Sequence, residues 1–70
     1  MEKPEQTRIE YDVDDNPVYV GTAPIGYESS EGVDNNAGWT IKKITWSSGN
    51  ATLVQIARGK WDNRATLTYA

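Results

Sequence analysis

Only a few stretches of this chain carry residue types that could do chemistry. Asp12-Val13-Asp14-Asp15-Asn16 offers oxygen atoms at alternating positions, the opening pattern of a calcium loop. The pattern then fails. Pro17 stands where the sharp bend needs Gly, and Ala23 where a bidentate Glu should close the site, so a solvated acidic turn is expected and no metal. Trp39, Trp46 and Trp61 are interleaved with Lys42, Lys43, Arg58, Lys60 and Arg64. Aromatic faces stack bases while cations follow phosphates, which is how single-stranded nucleic acid is held without reading its sequence. Against this, indoles in so small a chain are more often the core itself. The Lys-Gly-Phe-Gly-Phe-like run of cold-shock OB modules is also missing, as the chain has no Phe. Asn50-Ala51-Thr52 matches a glycosylation acceptor, yet no secretory signal precedes it, so only a turn is expected. Gly59-Lys60 lacks both the upstream Gly and the following Ser or Thr of a phosphate loop.

What is missing narrows the function further. The chain of 70 residues has no Cys and no His. Disulfides, thiolate zinc sites, cysteine nucleophiles and imidazole bases are therefore excluded. No catalytic residue, cofactor or small-molecule substrate is expected, and the protein reads as a non-enzyme. No apolar run approaches the ~20 residues of a membrane-spanning helix, so no membrane partner is expected.

Charge is segregated along the chain. Residues 1–38 hold nine acids and two bases, a net −7, whereas residues 39–70 hold one acid and five bases, a net +4. Such halves either neutralise each other across neighbouring strands of one fold or steer one molecule onto another.

The elements that must carry these residues are strands. Apolar positions recur with period two and turn residues separate the runs. Ile9, Tyr11 and Val13 alternate with Arg8, Glu10 and Asp12 over 7–13, and Asp14 to Pro17 reads as a tight turn into a second strand over 18–22. Residues 39–46 are the strongest strand, but their alternation changes phase. Trp39 and Ile41 share one face and Ile44 and Trp46 the other, so a bulge at Lys42-Lys43 is expected to restore a single buried face; without it both faces are partly covered. Residues 51–58 and 64–69 read as two further strands, with Ala65, Leu67 and Tyr69 alternating in the last.

The expected fold is thus all-β: a small five-stranded antiparallel meander, curled into a barrel or sandwich, with no helix. It occupies residues 7–70 as a single domain, preceded by a polar N-terminal arm over 1–6. The long loop at 23–38 is either a binding loop or a surface Ω-type loop packed down by Ile25, Tyr27 and Val33. With 37% hydrophobic residues the core is small. Disulfides being excluded, oligomerisation or docking on a larger assembly is the expected staple.

Val18-Tyr19-Val20-Gly21-Thr22-Ala23-Pro24, Gly38-Trp39-Thr40-Ile41-Lys42-Lys43-Ile44-Thr45 and Trp61-Asp62-Asn63-Arg64-Ala65-Thr66-Leu67-Thr68-Tyr69 stand in that order, with a Gly-Asn turn between the last two. This pattern resembles a group of small virion-associated structural proteins of tailed bacteriophages. The resemblance covers about residues 18–69. Where that group has an Ala-Asp-Gly segment, this chain has Ala57-Arg58-Gly59 and a shorter connection. The resemblance implies a virion structural protein made in the bacterial host cytoplasm, as a capsid decoration or cement or as a neck, tail or fibre component. Its partners would be further copies of itself and other virion proteins. Interface and structural candidates are Trp39, Trp46, Trp61, Asp62, Arg64 and Tyr69, with Arg64 expected to pair with Asp62 or with acids of the N-terminal half. The alternative function is a small OB-like single-stranded nucleic-acid-binding module, carried by Lys42, Lys43, Arg58 and Lys60.

Overall fold

The computed structural model describes residues 4–70. Strands β1 (Glu5–Tyr11), β2 (Pro17–Pro24), β3 (Trp39–Ser47) and β4 (Asn50–Gly59) form one antiparallel sheet in the order β1-β2-β3-β4. The chain is all-β, but the sheet has four strands where five were expected, and it stays open because β1 and β4 are not paired with each other. The hairpins sit where turn chemistry places them. Asp12 Oδ1 accepts from the N–H groups of Asp14 and Asn16 at 2.8 and 3.0 Å, which closes the acidic turn on itself. Ser48 and Gly49 both have positive φ, 51° and 80°, as a two-residue turn between twisted strands requires.

The expected fifth strand over 64–69 does not form. After β4 the chain makes a short 3-10 turn at Trp61–Asn63. Local bonds from Asn63, Arg64 and Thr66 N–H back to Lys60, Trp61 and Asn63 carbonyls satisfy part of the backbone there without a sheet neighbour. The tail then crosses one face of the sheet with Leu67 buried and Tyr69 half-buried. Only Ala70 reaches the β4 edge, exchanging bonds of 3.0 and 3.1 Å with Ile56.

The bulge is also elsewhere. Register runs unbroken from Trp39↔Gly59 to Thr45↔Leu53 and shifts only between Thr45 and Trp46, where Thr52 is the additional residue on β4. Lys42 and Lys43 therefore stay on opposite faces, and Trp39 and Ile41 remain on the face opposite Ile44 and Trp46.

One face is the core. Trp39, Ile41, Ala23 and Ala57 rise from the strands and are covered by Trp61 and Leu67 from the tail, with Tyr19 and Tyr69 packed at the margin. Trp39 and Trp61 meet at 5.9 Å between ring centroids and Tyr19 and Tyr69 at 6.1 Å, both tilted pairs. Gly21 makes this possible. A Cβ there would lie 2.6 Å from two ring carbons of Trp61, so the absence of a side chain lets the indole rest on the sheet.

The segment between β2 and β3 is a clasp. Ile25, Tyr27 and Val33 stay exposed and do not pack it down. Hydrogen bonds hold it instead: Asp34 accepts from Lys60 N–H at 3.2 Å and from the Asn63 amide at 2.6 Å, and Asn35 accepts from Thr68 N–H at 2.7 Å. The Asn63 amide, then the Lys60 N–H, hold the Asp34 carboxyl below its ordinary value of 3.8. At the Pro24 end of β2, where the clasp begins, Glu5 and Gln6 already belong to β1, paired with Pro24 and Ala23. Residues 1–3 of the expected arm lie outside the described residues.

Candidate functional site

The residues singled out by the sequence divide between two faces. Trp39 and Trp61 are 0% and 6% exposed and serve the core. Arg64 lies over the Trp61 ring at 4.7 Å, donates from Nε to Glu10 Oε1 at 2.5 Å, and donates from Nη1 to the Trp61 carbonyl at 3.0 Å. Its acid is thus one from the N-terminal half. Asp62 stays exposed and contributes its N–H to the Ser29 carbonyl. The Tyr69 hydroxyl donates to the Arg64 carbonyl at 2.8 Å. Burial pushes the Tyr69 phenol up to about 12, with Tyr19 adding to the rise and Arg64 opposing it.

The cations do not gather into one strip. Lys43 sits over the Tyr69 ring at 5.7 Å on the core side, and Lys60 is held by its backbone to Asp34. Lys42 and Arg58 are exposed on the other face. Trp46 belongs to that face as well, but it is half-buried, and its Nε1–H is taken by the Pro17 carbonyl at 2.7 Å. Two indoles in the core and cations on both faces do not make a stacking platform with a phosphate track.

That second face is the unexpected feature. Cross-strand partners line up in rows, since directly opposed residues share a face. Ile9↔Val20, Val20↔Lys42 and Lys42↔Ile56 form one row across all four strands. Thr7, Thr22, Thr40 and Arg58 form the row on one side of it, and the Ile44↔Val54 pair lies on the other. Ile9, Ile56 and Val54 are 45%, 48% and 54% exposed, while Val20 and Ile44 are half-buried. A strand buried on one side should alternate apolar with polar; here the outward positions carry β-branched aliphatics instead. The sequence of β3 left a choice between a bulge at Lys42-Lys43 and two partly covered faces, and the strand adopts the second. The signal was present in the unrepaired phase change of β3 and in Val54 and Ile56, which fall out of phase with Ala57.

The two sheet edges also differ. Ile56 on β4 is capped by Ala70, whereas on β1 the Pro4 carbonyl accepts from Ile25 N–H. Backbone direction alternates along a strand, so Glu5, Thr7 and Ile9 turn their main-chain groups outward, away from β2.

Comparison of the chain with protein-family models, with curated proteins and with solved structures finds no match. Among the described residues, no helix is long and apolar enough to cross a membrane.

Proposed function

We propose that this chain is a non-enzymatic structural protein of a bacteriophage virion, assembling with its own copies or on a larger particle through the open sheet face. It would serve in capsid decoration or cementing, or in the neck, tail or fibre apparatus, and localise to the virion after synthesis in the host cytoplasm. The observation that carries this is the aliphatic group of exposed Ile9, Val54 and Ile56 with half-buried Val20 and Ile44, set around Lys42 on a sheet whose other face is closed by the chain's own tail. Contiguous apolar surface of this kind marks sites of protein association. The motif resemblance in residues 18–69 supplies the virion context.

Magnitudes favour repeated contacts over a single one. Burying the exposed half of Ile9, Val54 and Ile56 is worth roughly 1 kcal/mol each, and Val20 and Ile44 add less, for about 4 kcal/mol together. Association alone costs an estimated ~4–15 kcal/mol in lost freedom, so an isolated pair held by this patch would be weak. Copies that each make two contacts, or that seat on a particle already assembled, gain from effective concentration. The single-strand nucleic-acid alternative retains Lys42 and Arg58 on the exposed face but has two of its three indoles in the core.

Light scattering on a sizing column over a concentration series tests the proposal. A mass rising to a stable multiple of 7.8 kDa is expected. A folded chain that stays monomeric at every concentration and binds single-stranded oligonucleotide at low salt, with affinity falling steeply as salt rises, would instead favour the nucleic-acid reading.

A further inference from the structure

The open face is apolar but not neutral. Lys42 stands in the middle of its central row, between Val20 and Ile56, and Arg58 is its diagonal neighbour on β4. Such diagonal positions lie roughly 7–8 Å apart. Among the described residues the register puts one acid on this face, Glu5, at the far end of β1. Two copies packed face to face about a twofold axis would bring these cations toward their own images in a desolvated seam, an arrangement that like-charge repulsion disfavours. The face asks for a partner that is apolar and acidic.

The same chain presents one. In the β1–β2 turn Val13 is 95% exposed and flanked by Asp12, Asp14 and Asp15. Asp12 spends a carboxylate oxygen on closing the turn, while the carboxylates of Asp14 and Asp15 make no ion pair or hydrogen bond among the described residues. An aliphatic side chain held fully in water on a tight, self-bonded turn has no structural task within its own chain.

We propose that successive copies join head to tail, with Val13 of one entering the aliphatic row of the next and Asp14 and Asp15 meeting Lys42 and Arg58. This interface presupposes the assembly role proposed above and gives it a geometry. The two patches differ, so the contact is heterologous. It closes into a ring if the rotation between copies permits and otherwise runs into a filament. The segregation of charge between residues 1–38 and 39–70 then serves recognition between copies as well as pairing within one.

A charge exchange tests the contact. The face variant K42E/R58E and the tip variant D14K/D15N change exposed groups; Asn at 15 tolerates the left-handed backbone that Asp15 adopts at φ 62°. Circular dichroism confirms that each variant folds. By light scattering at low salt, each alone should associate roughly 30-fold or more weakly than the wild type. The equimolar mixture should recover mass toward the wild-type value, because acidic tip meets basic face in one contact and the tip carrying the introduced lysine meets the acidic face in the next. A tip variant that assembles like the wild type while the face variant does not would overturn the head-to-tail contact in favour of face-to-face packing. Folded variants whose mixture fails to recover the mass would overturn it too, leaving self-assembly standing. A wild type that remains at 7.8 kDa throughout would remove both the contact and self-assembly.

Discussion

Trp61→Ala should remove about a third or more of this chain's folding stability. The side chain is 6% exposed, lies against Trp39 and is seated on the bare backbone of Gly21. Replacing a buried Trp by Ala removes its transfer energy and leaves a cavity, typically about 3–5 kcal/mol together. A domain of this length has only about 3.5–10 kcal/mol in hand, on the usual scale of roughly 0.05–0.15 kcal/mol per residue. Arg64 loses its stacking surface in the same variant, which loosens its bridge to Glu10. Trp46→Ala is the comparison, because that ring is only half-buried on the open face and, with its bond to the Pro17 carbonyl, should cost less, roughly 2 kcal/mol. Thermal melts followed by circular dichroism compare the two. A Trp61→Ala melting temperature equal to that of the wild type would show that the tail does not close the core.

The second large effect is expected from the smallest side chain. Gly38 has φ 128°, and a Cβ there would stand 2.6 Å from Gly32 Cα, 2.9 Å from the Gly59 carbonyl oxygen and 3.0 Å from the Glu31 carbonyl oxygen. Every one of these neighbours is backbone, so no rotamer change relieves the contact. Gly38→Ala thus combines a strained conformation with overpacking, each typically ~1–3 kcal/mol, for an expected loss of about 3 kcal/mol or more. Gly26 also has positive φ, but its added Cβ would meet nothing within 4 Å, so Gly26→Ala should carry the conformational part alone. Denaturant midpoints that rank the two variants equally would contradict the view that the β2–β3 segment is clamped against the end of β4.

The parts of this architecture legible in the sequence are those governed by local rules. Alternating apolar residues and turn chemistry located β1 to β4, and indoles in so small a chain pointed to the core that Trp39 and Trp61 form. The parts that were not legible depend on distant partners. Ala65, Leu67 and Tyr69 alternate as in a strand, but the tail is held by residues far along the chain, Leu67 in the core with Trp39 and Tyr69 against Tyr19. The β2–β3 segment appeared as a loop weighted by Ile25, Tyr27 and Val33, whereas Asp34 and Asn35 hold it through donors some thirty residues away. The phase change of β3 allows either a bulge at Lys42-Lys43 or two partly covered faces, and the residues alone do not choose between them. The strand keeps its phase, and the aliphatics on the far side belong to an exposed surface.

That surface can be tested at single side chains. Methyl NMR of the Ile residues, recorded with a soluble paramagnetic agent over the same concentration series as the mass measurement, separates the two faces directly. Ile41, fully buried under the tail, should resist broadening at every concentration. Ile9 and Ile56 should broaden in dilute protein and become protected as the mass rises. Protection of Ile9 and Ile56 in the dilute monomer, or continued broadening in the assembled form, would contradict assembly through the open face.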